Sequence, residues 1–192
     1  GELLLQKDLA ATLKRISKQG RAGFYKGKTA DLLVAQMRRN GGLISHQDLL
    51  NYKVVERQPV CGDYRSNKVC AMPPPSSGGV HLIQMLNILE GWDLNALGHN
   101  SAAYLHRLVE SMRRAYADRS LHLGDPDFYP VPAEQLMDKS YAATLRKQID
   151  LSKASRSVDI QPAPTNLINE SPETTHYATW DRWGNVVSNT YT

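Results

Sequence analysis

Two short runs rich in Thr, Tyr, Trp and Val, residues 175–180 and 186–192, flank Asp-Arg-Trp-Gly-Asn at 181–185. β-Branched and aromatic side chains suit a pleated surface. A three-residue loop with glycine at its left-handed position is a common way to join two antiparallel strands. Taking Arg182-Trp183-Gly184 as that loop sets Asp181 opposite Asn185. Every pair further out is then fixed, ending with Thr174 opposite Thr192. Directly opposed residues share a face with Cβ atoms about 5 Å apart, so the register brings two hydroxyls together at the open end of the hairpin.

A threonine hydroxyl is a poor nucleophile until a base takes its proton, and one solution is an N-terminal Thr whose own α-amine is that base. A free α-amine titrates near pH 7.7–8.0, so a useful fraction of it is neutral at working pH. Thr174 is internal, and this solution requires cutting the Glu173–Thr174 bond. Attack of the Thr174 hydroxyl on the Glu173 carbonyl would give an ester, and water would then release the new N-terminus. The competing reading is a Thr-rich surface hairpin without chemistry.

The remainder of the chain reads as mostly helical. Leu5, Leu9, Leu13 and Ile16 recur at helical spacing and predict an amphipathic helix over residues 2–19, stopped by Gly20. Residues 22–25 read as a buried connector. A second helix is expected from Thr29 as N-cap to Asn40, ended by Gly41-Gly42. Ser45 and Asp48 form a capping-box pattern opening a short third helix, which makes His46 a first-turn surface residue. Residues 54–61 and 67–72 read as two strands joined by a tight turn. They set Cys61 opposite Cys70, either as a disulfide or as two partly buried free thiols. Three prolines at 73–75 force an extended entry to a helix capped by Ser76 or Ser77 and running to Leu89.

Further on, residues 100–122 predict a long helix capped by Asn100, with Tyr104, Leu108, Met112, Ala115 and Tyr116 on one face and Arg113, Arg114, Asp118 and Arg119 on a solvated or ion-paired surface. Gly-Asp-Pro-Asp at 124–127 is a turn whose two acids have no evident partner. Two shorter helices follow, at 132–137 and 140–149. From 151 to 173 the periodicity collapses into Ser, Pro, Asn and charged residues, which predicts a long exposed segment.

Composition narrows the functional classes. Of 192 residues, 41% are hydrophobic and 22% charged, as in ordinary globular proteins. The formal charge is +4, but the basic residues are scattered over helices, which argues against a nucleic-acid surface. No apolar run approaches the roughly 20 residues that span a bilayer. None of the six His is spaced with Cys or carboxylates as a metal site would require. A metal site is not expected. Ser-Ser-Gly-Gly at 76–79 could present backbone N–H groups to an anion, but it lacks the Lys of a phosphate loop and the Gly-x-Ser-x-Gly of a hydrolase elbow.

Glu-Thr-Thr-His-Tyr at 173–177, Asp181-x-x-Gly184-Asn185 and Thr190-Tyr191-Thr192 together resemble the processing site of the γ-glutamyltranspeptidases. Residues 52–62, Met-Pro-Pro-Pro-Ser-Ser-Gly-Gly at 72–79, Tyr-Ala-Asp-Arg at 116–119 and Gly-Asp-Pro-Asp-Phe at 124–128 are similar to that family in the same order, so the resemblance runs through nearly the whole chain.

The resemblance implies an α+β fold, part of a four-layer αββα N-terminal-nucleophile hydrolase, of which this chain supplies a predominantly helical piece. It implies a precursor cut at Glu173–Thr174 into two subunits. Residues 1–173 would be the C-terminal part of the large subunit, with 151–173 a flexible segment before the cut. Residues 174–192 would start the small one. By resemblance Thr174 is the nucleophile, and Thr192 supports it with its hydroxyl. The substrate would be glutathione or a related γ-glutamyl compound, with water, an amino acid or a peptide as acceptor and the rest of the small subunit as partner, in the periplasm or outside the cell. The family's carboxylate-binding Arg would lie before Gly1 and its oxyanion donors after Thr192, so the 192 residues alone are expected to be inactive. Cephalosporin or glutaryl acylases of the same architecture, and a non-catalytic homologue used for binding or assembly, are the alternatives.

Overall fold

The structure is a computed structural model that describes residue 1, residues 3–160 and residues 175–191. The chain divides into two compact units, Gly1–Glu56 and Arg57–Thr192.

The first unit is helical: α1 (Lys7–Gln19), α2 (Ala22–Tyr25), α3 (Gly27–Arg39) and α4 (His46–Asn51). Its core is Ala30, Val34 and Leu49, flanked by Tyr25 and Leu33. Helix α1 starts at Lys7 rather than at residue 2, leaving Leu5 outside it, and ends at Gly20 as expected. Leu9 and Leu13 of its apolar stripe are 50% and 56% exposed. Thr29 is not the N-cap of α3. It is buried inside the helix, where its hydroxyl donates to the Gly23 carbonyl (2.8 Å) and accepts from Arg15 Nε (2.9 Å). A hydroxyl committed to two partners on neighbouring elements is not available to cap its own helix. The capping box of α4 is present, with Ser45 N–H donating to Asp48 Oδ2 at 2.8 Å, and His46 lies at the surface against Asp31.

The second unit begins with a hairpin, β1 (Val60–Tyr64) and β2 (Asn67–Ala71), joined by Arg65-Ser66. Residues 54–59, read as strand, are not in one; Val54 and Val55 are exposed and have no strand to pair with among the described residues. Cys61 and Cys70 are directly paired and form a disulfide. Closing so short a loop is worth about 2–3 kcal/mol in the chain-entropy account. Replacing both cysteines by serine should therefore lower unfolding stability by that amount, and dithiothreitol should do the same to the unaltered protein. A urea midpoint indifferent to reductant would mean that the bond contributes nothing.

Helix α5 (Gly78–Leu89) is the centre of this unit. Gly79, Val80, His81, Ile83, Gln84, Asn87, Ile88 and Leu89 are all buried, a pattern that occupies nearly every side of a helix. Gly79 admits the close approach of the preceding chain, since a Cβ there would lie 2.3 Å from the Met72 carbonyl oxygen. Around α5 pack α6 (Ala102–His122), α7 (Ala133–Leu136) and α8 (Lys139–Lys147); Ile88, Ala142, Leu145 and Ile149 form the apolar centre, with Trp92 and Tyr141 against it.

Helix α6 departs most from expectation. Its N-cap is Ser101, whose Oγ accepts from Tyr104 N–H, while Asn100 sits before it at φ +57. The face turned inward is Glu110, Ser111, Arg114, Ala115 and Asp118, whereas Met112 and Tyr116, expected on the core face, are exposed. Burying that polar face works because most of its groups are paired, Arg114 Nε being the exception among the described residues. Arg114 Nη1 donates to Glu110 Oε2 at 2.7 Å and Arg114 Nη2 to the Gln148 carbonyl at 2.9 Å. Asp118 Oδ2 accepts from Gln84 Nε2 (2.5 Å) and from Tyr141 Oη (2.8 Å). Buried polar groups are retained when their hydrogen bonds are made within the protein.

Residues 151–160, expected to be a loose exposed stretch, are exposed but tied to α6. Ser155 donates to Glu110 through its N–H (3.0 Å) and its hydroxyl (2.6 Å), and Arg113 Nη1 donates to the Ser155 carbonyl (2.6 Å). The expectation for the remainder of that stretch, 161–173, lies outside the described residues.

Candidate active site

The second hairpin, β3 (Thr175–Trp180) and β4 (Val186–Tyr191), has the expected register: Trp180 pairs with Val186, Ala178 with Ser188, His176 with Thr190 and Thr175 with Tyr191. Its loop is set by its own chemistry. Asp181 accepts from Trp183 N–H (2.9 Å), Asn185 N–H (2.9 Å) and Asn185 Nδ2 (2.8 Å), and Gly184 takes φ +88, where a side chain would be strained. The Asn185 side chain first, then these backbone donors, hold the Asp181 carboxyl below the usual carboxylate range. Asp, Gly and Asn in this loop are thus each required by the turn, and the turn fixes the register.

The two threonines singled out, Thr174 and Thr192, and the Glu173 carbonyl lie outside the described residues. The observed pairs reach Thr175–Tyr191, one step short of them. On the face that alternation assigns to even-numbered residues, His176 Nδ1 lies 2.7 Å from Thr190 Oγ1 and its Nε2 lies 3.2 Å from Ser188 Oγ. This imidazole bridge was legible in principle, because the register that pairs 174 with 192 also pairs 176 with 190.

Other candidate groups are accounted for structurally. At the start of α5, Gly78 N–H donates to Ser76 Oγ, Gly79 N–H to the Met72 carbonyl, and Ser77 Oγ accepts from Arg119 Nε at 2.9 Å. Ser76-Ser77-Gly78-Gly79 is accordingly a strand-to-helix turn whose donors are largely used. Asp125 and Asp127 do have a partner: Arg57 lies 2.8 Å from Asp127 and 3.8 Å from Asp125. His81 is buried edge-on to Tyr116, and neither ring nitrogen has a hydrogen-bond partner among the described residues. Burial, with the Arg119 charge as a smaller cause, pushes its pKa down to about 4, so it is neutral at physiological pH. Among the described residues no group of His, Cys, Asp and Glu is placed to hold a metal ion, and no helix is long and apolar enough to cross a membrane.

The sequence model of the family described as Gamma-glutamyltranspeptidase matches residues 1–192, the whole chain. The chain belongs to the γ-glutamyltranspeptidase family. It is 47% identical over 192 residues to the glutathione hydrolase proenzyme of Escherichia coli K12, covering all of this chain and 33% of that protein. It is 43% identical over 193 residues to the Acylase ACY 1 proenzyme of a Pseudomonas strain (SE83), again over all of this chain and 34% of the relative. Among solved structures, the γ-glutamyltranspeptidase of Helicobacter pylori superposes with a TM-score of 0.79 at 46% identity, over 89% of this chain and 49% of that one.

Membership fixes the fold class. The chain is mixed α and β, mainly helical, and takes the conformation of the corresponding part of an N-terminal-nucleophile hydrolase. It spans about a third of the length of the curated relatives it matches.

Proposed function

We propose that these residues belong to a longer precursor that cuts itself between Glu173 and Thr174 and then catalyses γ-glutamyl transfer from, and hydrolysis of, glutathione and related γ-glutamyl compounds. The observation that carries this reading is the register of β3 and β4 from Trp180–Val186 out to Thr175–Tyr191, which is the register that the loop spacing requires for residues 174 and 192 to be opposed. The relatives named as proenzymes support the processing step. In the uncut chain the Thr174 hydroxyl attacks the Glu173 carbonyl; the C–N bond breaks, the α-amine of Thr174 leaves with a proton, and water hydrolyses the ester. In the mature enzyme that amine accepts the hydroxyl proton as Thr174 attacks the γ-carbonyl of the substrate, and returns it to the departing amine. Water or the amine of an amino acid or peptide then takes the γ-glutamyl group from the ester. No cofactor enters these steps.

In this reading residues 1–173 are large-subunit and 174–192 small-subunit sequence, and the remaining small-subunit residues complete the pocket. A periplasmic or secreted location is supported by the Cys61–Cys70 disulfide, since such bonds persist in oxidising compartments.

The acylase relative at 43% identity favours one second reading, hydrolysis of a glutaryl or cephalosporin side chain by the same nucleophile. Incubating the full-length protein with γ-glutamyl-p-nitroanilide and with glutaryl-7-aminocephalosporanic acid separates the two. Release of p-nitroaniline alone supports the γ-glutamyl reading, and cleavage of the second substrate alone replaces it. Turnover of neither by a folded, uncut protein identifies a non-catalytic homologue.

Thr192→Ala should slow both processing and turnover while leaving the melting temperature nearly unchanged. One hydroxyl hydrogen bond contributes only about 0.5–1.5 kcal/mol to stability, whereas misplacing a nucleophile's partner acts directly on the rate. Unchanged kcat and cleavage half-time would count against extending the register to 174 and 192.

A further inference from the structure

We infer that His81 makes the packing of α5 on α6 sensitive to acid: the ring is a neutral imidazole closed into that junction without a partner, and a proton taken up from solvent loosens the two helices. The inference is independent of the chemistry proposed for Thr174 and adds a response to the fold.

Three observations carry it. First, His81 is 6% exposed, and its Nδ1 and Nε2 are both buried without a hydrogen-bond partner among the described residues. A phenyl ring would supply the same apolar contact without leaving a donor and an acceptor unsatisfied. Both nitrogens are already closed off by their neighbours, so residues elsewhere in a longer chain gain access to them only when this packing opens. Second, the ring lies where the two helices meet, edge-on to Tyr116 of α6 with ring centroids 4.3 Å apart. Third, the charge that acts on it is positive. Arg119, one turn beyond Tyr116, donates from Nε to Ser77 Oγ at 2.9 Å, one turn before His81. A proton on the ring leaves two N–H donors without acceptors, holds a cation out of water and sets it beside a guanidinium. Each of these favours the opened junction.

The acids near α5 are committed to other partners. Glu110 is paired with Arg114 and Ser155, and Asp118 with Gln84 and Tyr141. Glu90 accepts from Lys139 and from the Arg65 N–H. On the other elements packed against α5, Asp63 of β1, Lys68 of β2 and Glu134 of α7 are exposed. Arg146 of α8 donates to the Asn87 and Ile88 carbonyls at the far end of α5.

The sign of the effect follows from the two states of the ring. Burial first, and the Arg119 charge second, lower its pKa from 6.5 to about 4 in the packed state. Released from the junction, it returns to its ordinary value. Above pH 6.5 neither state binds the proton, and His81 has no influence. Between 6.5 and about 4 only the opened state binds it, so opening becomes easier as pH falls. Below that range both states bind it and the effect is complete.

Hydrogen–deuterium exchange of the full-length protein, corrected for the intrinsic pH dependence of amide exchange, tests this. Between about pH 7.5 and pH 5 the protection of the α5 amides should fall roughly 20-fold. That range stays above the ordinary Glu110 value of 4.5, which separates the two responses. His81→Gln and His81→Phe cannot take up the proton, and their α5 protection should change by no more than about threefold. Helices α1–α4 serve as the internal control and should respond alike in all three proteins. An equal fall in α5 protection in the unaltered protein and the variants would overturn the role of His81, as would no fall in the unaltered protein. Where His81→Gln does not accumulate as folded protein, His81→Phe decides. Where neither does, the unaltered protein decides: a loss of protection in α5 beyond that in α1–α4 supports the inference, and an equal or smaller one overturns it.

Discussion

Thr174→Ala in the full-length protein is expected to give a single uncut chain with no γ-glutamyl turnover. One hydroxyl is assigned to two reactions, so its loss removes both rather than weakening each. In the uncut chain no other atom of residue 174 can form the ester with Glu173, and without the cut the amine that serves as base is never released. Serine at 174 retains the hydroxyl and should process and turn over at a reduced rate, because it lacks the methyl group that restricts χ1. Two subunits of normal size on a denaturing gel of Thr174→Ala, together with γ-glutamyl turnover, would remove Thr174 from its role. A normal gel pattern without turnover would separate processing from catalysis and assign the first to another residue.

The second large effect is on stability and lies away from the hairpin. Glu110 is 1% exposed and Arg114 4% exposed, and Glu110 also receives both donors of Ser155. Truncating one member of a buried ion pair typically costs roughly 3–5 kcal/mol, because the remaining charge is left without a partner. Glu110→Ala should accordingly lower the urea unfolding free energy by about that amount and release residues 151–160 to proteolysis. Replacing Glu110 and Arg114 together by leucine and methionine should recover most of the loss.

Acid provides an independent check. Burial raises the Glu110 pKa, but hydrogen bonds from Ser155 and Arg114 outweigh it, and the net shift is downward from an ordinary value of 4.5. A carboxyl whose folded pKa is depressed contributes stability that is complete above its unfolded pKa and is lost as pH falls through the folded one. The stability of Glu110→Gln should therefore fall less steeply below pH 4.5 than that of the unaltered protein. Parallel acid limbs in the two proteins would place the acid sensitivity elsewhere.

The features legible in the sequence are those decided by neighbours in sequence. The Asp181–Asn185 loop fixes its own geometry, and the β3–β4 register follows from it. Ser45 and Asp48 cap α4 within one turn, and the Cys61–Cys70 pairing follows from a two-residue turn. The features that the sequence concealed depend on distant partners. Thr29 looks like an N-cap until the Gly23 carbonyl and Arg15 are beside it. Asp125 and Asp127 lack a visible partner because Arg57 is about 70 positions away in the chain. Helix α6 misleads for the same reason. Its hydrophobic period marks Met112 and Tyr116 as the inner face, but Gln84, Tyr141, Gln148 and Ser155 converge on the polar one. Residues 151–160 carry no apolar period because polar bonds to α6, not a hydrophobic stripe, hold them. At the candidate site, the family motif marks Thr174 and Thr192, whereas the His176 bridge is visible only once the strands are paired.

The bond between Ser155 and Glu110 limits how far the chain end released by the proposed cut can travel. It fastens the chain to α6 upstream of the scissile bond, and the described segment continues to Ile160. From there to Glu173 the chain has 13 residues, whose contour cannot exceed roughly 45 Å in any conformation. A carboxylate created at Glu173 by the proposed cut would therefore stay within that distance of the segment fastened to α6.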